Sequence, residues 1–111
     1  MTSKGMHLVV NASSTKTDLD DHLVWGRIFD KVVAHTKTNK IGNTNFHDFP
    51  VQGLTAFQVL SESHISVHTY PEKQSYYFDV YSCKEFDYNG IIEILKEELG
   101  EHEVDFHLMV R

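Results

Sequence analysis

The sequence predicts an α+β fold: a two-layer α/β sandwich whose mainly antiparallel sheet carries two helices on one face. Three observations support this. Short apolar or alternating runs are separated by turn residues, two longer segments repeat apolar residues every three or four positions, and the elements run β, α, three or four strands, α, β. With 111 residues the chain is expected to form one domain, 1–111. A core of that size buries roughly two-thirds of the unfolded surface.

"MHLVVNA" (6–12) is a short apolar run suited to a buried strand, and the polar "SSTKT" after it reads as a loop. Thr17 or Asp18 is placed to cap a helix from Leu19 to His35, whose core-directed face holds Leu19, Leu23, Val24, Ile28, Val32 and Val33. "HTKTNKIGNTN" is polar with one glycine. In "FHDFPVQGLTAFQVLS", Pro50 and Gly53 break a strand or set an edge bulge, which leaves Leu54 to Leu60 as the better strand. "HISVHTY" alternates Ile65, Val67 and Thr69 against Ser66, His68 and Tyr70, the period of a pleated strand. After the turn "PEKQS", the strand "YYFDVYSC" puts Tyr77, Asp79, Tyr81 and Cys83 on one side, so His68 and Cys83 are expected to meet if the two strands pair. Asp87 or Asn89 caps a second helix with the stripe Ile91, Ile92, Leu95 and Leu99, ended by Gly100. "VDFHLMV" closes the chain as a half-buried strand.

Composition bounds the function. With 41% hydrophobic and 23% charged residues the chain reads as a soluble globular protein. Its apolar runs are far shorter than the roughly 20 residues a membrane helix needs. Sixteen acidic against ten basic residues give a net charge of -6, which repels phosphate backbones and disfavours nucleic acid as a partner. Cys83 is the only cysteine, so no internal disulfide forms. With no secretory stretch at the start, the expected compartment is the cytoplasm. Eight histidines raise the question of a metal. His64 and His68, however, lie about 13 Å apart along a strand at roughly 3.3 Å per residue, so no metal site is expected from them.

The segment "LSESHISVHTYPE" (60–72) concentrates hydroxyls, carboxylates and histidines across one tight connection. On the residues alone "SES" is first of all an ordinary polar turn, and a lone cysteine is first of all core filling. The chemistry available is nonetheless specific. A serine hydroxyl held against its preceding carbonyl can convert the Glu62–Ser63 amide into an ester. Removal of the Ser63 α-proton then breaks the chain and leaves a precursor of a pyruvoyl group, and His68, an imidazole on the following strand, is the natural base.

"SESHISVHTYPE" followed by "FDVYSC" resembles the prokaryotic S-adenosylmethionine decarboxylase proenzyme family. That family is marked by an E-S-H-x-S/T-x-H-T-W-P-E segment and then D-x-F/Y-T/S-C-G. The likeness extends to "GMHLVV", "NFHDF" and "GLTAF". It implies a self-cleaving proenzyme split between Glu62 and Ser63 into a β chain, 1–62, and an α chain, 63–111. Ser63 would become a covalent pyruvoyl cofactor and Glu62 the new C-terminus, with His68 assisting and Cys83 protonating the product. The ketone would form a Schiff base with the α-amine of S-adenosylmethionine and accept electrons as CO₂ leaves, giving the aminopropyl donor for spermidine. By the same resemblance Phe49 stacks on adenine, Glu72 holds the ribose hydroxyls, Thr55 stands where a serine usually helps processing, and His7 lies in the first-strand motif near the site. A homodimer with sites near the subunit interface is also implied, and it would cover the bare sheet face.

Four positions depart from the family pattern: Asn11 for an acid, Tyr70 for tryptophan, Ala56 for glycine and Lys84 for the glycine after the cysteine. The changes at 11 and 84 lower the negative charge beside a cationic ligand. They keep two alternatives open: a pyruvoyl-dependent decarboxylase of ornithine or arginine, and a non-cleaving binding or regulatory relative.

Overall fold

The computed structural model describes residues 5–111; residues 1–4, the start of the expected domain, lie outside them. The elements are β1 (Met6–Ser13), α1 (His22–Thr36), β2 (Lys40–Asp48), β3 (Leu54–Leu60), β4 (Ser63–Tyr70), a 3₁₀ turn (Pro71–Lys73), β5 (Ser75–Ser82), α2 (Tyr88–Leu99) and β6 (Glu103–Val110). All strand pairs are antiparallel, in the order β2-β3-β4-β5-β1-β6. This is the expected two-layer α+β sandwich. No described helix is long and apolar enough to cross a membrane.

Alternation along the strands sends one set of side chains toward the helices and the other to an open face. Leu8, Val10, Leu54, Ala56, Ile65, Val67, Phe78 and Val80 are fully or almost fully buried beneath Trp25, Ile28, Phe29, Val32, Ile91 and Leu95. Trp25 anchors this layer: its ring meets Tyr76 edge-on at 5.2 Å and its indole N–H donates to the Leu19 carbonyl at 2.9 Å.

Two elements differ from the sequence expectation. Helix α1 starts later, capped by Asp21, whose carboxylate accepts the Leu23 N–H at 2.9 Å, rather than by Thr17 or Asp18. Leu19 is buried from the loop before the helix, which is why its apolar spacing mimics a helical position. The polar stretch before Phe46, which carries no periodic pattern, holds most of strand β2. It is an edge strand, mostly exposed, so its sequence need not alternate. Its register shifts between Ile41 and Asn45, and the buried Gln58 of β3 closes the gap by donating to the Ile41 and Gly42 carbonyls and accepting from the Thr44 hydroxyl. Asp87 caps α2 as expected.

Candidate active site

Strands β3 and β4 are joined by the turn Ser61–Glu62, since Leu60 pairs directly with Ser63. Glu62 occupies the left-handed region, φ 63°. For a side chain with a Cβ that conformation costs about 1–2 kcal/mol, so the backbone is strained immediately before the Glu62–Ser63 peptide. Ser63 opens β4 with its side chain buried toward the helices. Its hydroxyl accepts the Cys83 backbone N–H at 3.4 Å, and the Cys83 thiol donates to the Glu62 carboxylate at 3.2 Å. This hydrogen bond, then desolvation and the Glu62 charge, push the half-buried thiol above its ordinary pKa; the Cys83 backbone and Lys84 act more weakly in the other direction. The Lys84 ammonium itself turns away and donates to the Lys37 carbonyl past the end of α1 at 3.0 Å.

A second group of residues lies at the other end of β4. Phe49, Thr55, His68, Tyr70 and Glu72 share the walls of a cavity of about 320 Å³ with Gln52 and Gly53, within the range of small-molecule sites. The loop from Phe49 to Gly53 forms one wall, held by the Phe49 N–H on the Gly53 carbonyl at 2.9 Å and the Gly53 N–H on Asp20 at 2.9 Å. Gly53 sits at φ 101°, and a Cβ there would come within 3.3 Å of the Thr69 carbonyl. Thr55 Oγ1 and His68 Nδ1 share a hydrogen bond at 2.9 Å across the β3–β4 pair, which fixes the imidazole plane.

The two groups do not meet within one chain. His68 opposes Tyr77 in the β4–β5 register, and Tyr81 opposes His64, so the expected approach of His68 to Cys83 does not occur. Ser63 and His68 are five residues apart on an extended strand, about 16 Å at roughly 3.3 Å per residue, and the odd spacing sends their side chains to opposite faces. His7 is also outside the cavity, bonded to Asp79 at 2.7 Å. Asp79, the acid that opens the D-x-F/Y-T/S-C pattern and to which the motif alone gives no role, draws His7, His64 and Ser66 around its carboxylate. Its signal was a carboxylate on the open face of an otherwise apolar and aromatic strand.

The sequence model of one family, described as S-adenosylmethionine decarboxylase, matches residues 6–111. An S-adenosylmethionine decarboxylase proenzyme of Clostridium botulinum (strain Langeland) is 31% identical over 112 residues, covering 100% of this chain and 97% of the relative. A protein of that name from Persephonella marina is 34% identical over 95 residues, with 83% and 71% covered. The crystal structure of the adenosylmethionine decarboxylase from Aquifex aeolicus superposes with a TM-score of 0.80 over 98% of this chain and 91% of the other, at 22% identity, and so corroborates the fold.

Proposed function

The chain belongs to the S-adenosylmethionine decarboxylase family, and from that premise we propose that it decarboxylates S-adenosylmethionine through a pyruvoyl group made from its own Ser63. It is an enzyme of the carboxy-lyase class. Cleavage between Glu62 and Ser63 yields chains 1–62 and 63–111, and the product serves as aminopropyl donor for spermidine synthesis. The enzyme works in the cytoplasm, where its lone thiol stays reduced.

The observation that carries this reading is the left-handed Glu62 directly before a buried serine whose hydroxyl is held by the Cys83 N–H. The Ser63 oxygen attacks the Glu62 carbonyl carbon and the Ser63 nitrogen leaves, turning amide into ester. A base then takes the Ser63 α-proton and the Glu62 carboxylate departs. Water hydrolyses the resulting dehydroalanine to the ketone with loss of ammonia. Such residues fit a pyruvoyl group, which supplies an electron sink as CO₂ leaves. The rest falls to the chain's own side chains. Phe49 offers a face for adenine, Glu72 two acceptor oxygens for the ribose hydroxyls, and Tyr70 an aromatic wall. The Cys83 thiol, kept protonated by Glu62 in the uncleaved chain, is the proton donor to the substrate α-carbon.

Because His68 and Thr55 are remote from Ser63 in one chain, the working unit is a homodimer. Its open sheet faces pair about a twofold axis, so that the Ser63–Cys83 end of one copy meets the His68–Thr55 cavity of the other. The open face suits pairing, with Phe57, Val59, Tyr77 and Met109 each about two-fifths to one-half exposed.

Intact mass after purification, with hydroxylamine trapping, tests the cleavage. Release of CO₂ from carboxyl-labelled S-adenosylmethionine, ornithine and arginine tests the substrate. An unbroken chain sinks the pyruvoyl reading, and release from ornithine or arginine alone replaces the substrate.

A further inference from the structure

We propose that His7, His64 and Asp79 form a binding site for one divalent transition-metal ion, zinc by preference, on the open face of the sheet. The three residues come from adjacent strands, His7 on β1, Asp79 on β5 and His64 on β4. His7 and His64 both oppose Tyr81, and Asp79 lies two residues away on the same face, so its carboxylate falls between the two imidazoles. His7 Nε2 is 2.7 Å and His64 Nε2 is 3.6 Å from the same oxygen of Asp79, and the three donor atoms all lie within 4.8 Å of one another. A tetrahedral ion with bonds of about 2.0–2.2 Å needs its ligands about 3.3 Å apart, so closing on it takes side-chain shifts of roughly an ångström.

The donor chemistry fits. Two imidazoles and one carboxylate are a three-ligand set of the kind zinc accepts with its fourth position open. Ser66 donates its hydroxyl to the other Asp79 oxygen and so fixes the carboxylate from outside. The His64 ring stacks on Phe57 and Tyr81 at centroid distances of 5.7 Å and 5.9 Å, which holds its nitrogen on target. Side-chain exposures of 18%, 35% and 25% for His7, His64 and Asp79 leave the donors reachable in the single chain, and in the proposed homodimer the ion would be enclosed between the paired faces.

The site also has a structural meaning that rests on the cleavage reading. His7 belongs to fragment 1–62, whereas His64 and Asp79 belong to fragment 63–111, so the ion would clasp the two fragments together one residue from the new N-terminus.

The test uses full-length protein without a histidine tag, freed of metal by chelator and titrated with zinc or cobalt(II). It is run on the native protein and on the uncleavable Ser63→Ala form, so that failure of the cleavage reading leaves the metal result intact. One bound ion per chain is expected, with the visible absorption of tetrahedral cobalt and a rise in Tm. His7→Gln and His64→Gln, each verified as folded by circular dichroism, should both lose it, and Ser66→Ala should weaken it about 10–100-fold. No uptake, or uptake unchanged in both histidine variants, overturns the site.

Discussion

The Cys83 thiol donates its hydrogen to the Glu62 carboxylate at 3.2 Å, tying the residue before the proposed scissile bond to the proposed proton donor. The contact favours the protonated thiol, so its folded-state pKa lies above the ordinary value. By linkage, whatever the contact contributes to stability is present below the ordinary thiol pKa and is lost as pH rises through the raised one. In an uncleavable Ser63→Ala background, Glu62→Ala should move the pH midpoint of Cys83 alkylation downward. Superimposable alkylation profiles would show that Glu62 does not govern the thiol.

Thr55 and His68 offer a separable test of processing. A positioned imidazole base accounts for about 10²–10⁴-fold in rate, and His68→Ala should slow self-cleavage by that order. Thr55 acts through the ring it holds. Thr55→Ala should therefore slow cleavage less, by about tenfold, a loss of roughly 1.4 kcal/mol of orientation, and should shift its pH profile, while Thr55→Ser restores both. A time course of intact mass at several pH values reads all three. Equal rates for Thr55→Ala and Thr55→Ser would remove the hydroxyl from the account.

The central strands and both helices were legible because burial imposes a period on the residues that face the core, as in Ile65, Val67 and Thr69. Strand β2 was not, because an edge strand held largely by backbone pairing and by the Gln58 amide carries no such period. The residues of the candidate site were named from their motif, and Phe49, Thr55, His68, Tyr70 and Glu72 do line one cavity. The distance of His68 from Ser63 follows from five residues of one extended strand. Its separation from Cys83 was hidden, because that depends on register, and register is set by the turn through Pro71–Lys73, which places His68 opposite Tyr77.

In the proposed homodimer that separation would make the site composite, and complementation tests it. A Cys83→Ala chain keeps an intact His68 end, and a His68→Ala chain keeps an intact Ser63–Cys83 end. Co-expressed, half of the dimers pair one of each, and each such dimer holds one complete site of two, so activity should return to about a quarter of wild type. Either variant alone should be nearly inactive. Mixed dimers, isolated through two different tags, that show no activity would place the whole site within one chain.

The helical layer has its own tight point. At Gly90 in the first turn of α2, an added Cβ would lie 2.2 Å from His35 Cε1, and the His35 ring is itself bonded to the Asp87 carbonyl at 2.7 Å. Alanine favours a helix over glycine by about 1 kcal/mol, but here it must expel that ring, and overpacking costs about 1–3 kcal/mol. Gly90→Ala should therefore lower stability in urea unfolding. Once His35→Ala has cleared the space, the same substitution should raise stability by up to about 1 kcal/mol, because the propensity gain then has nothing opposing it. A destabilising effect of similar size in both backgrounds would mean that His35 is not what makes glycine necessary at position 90.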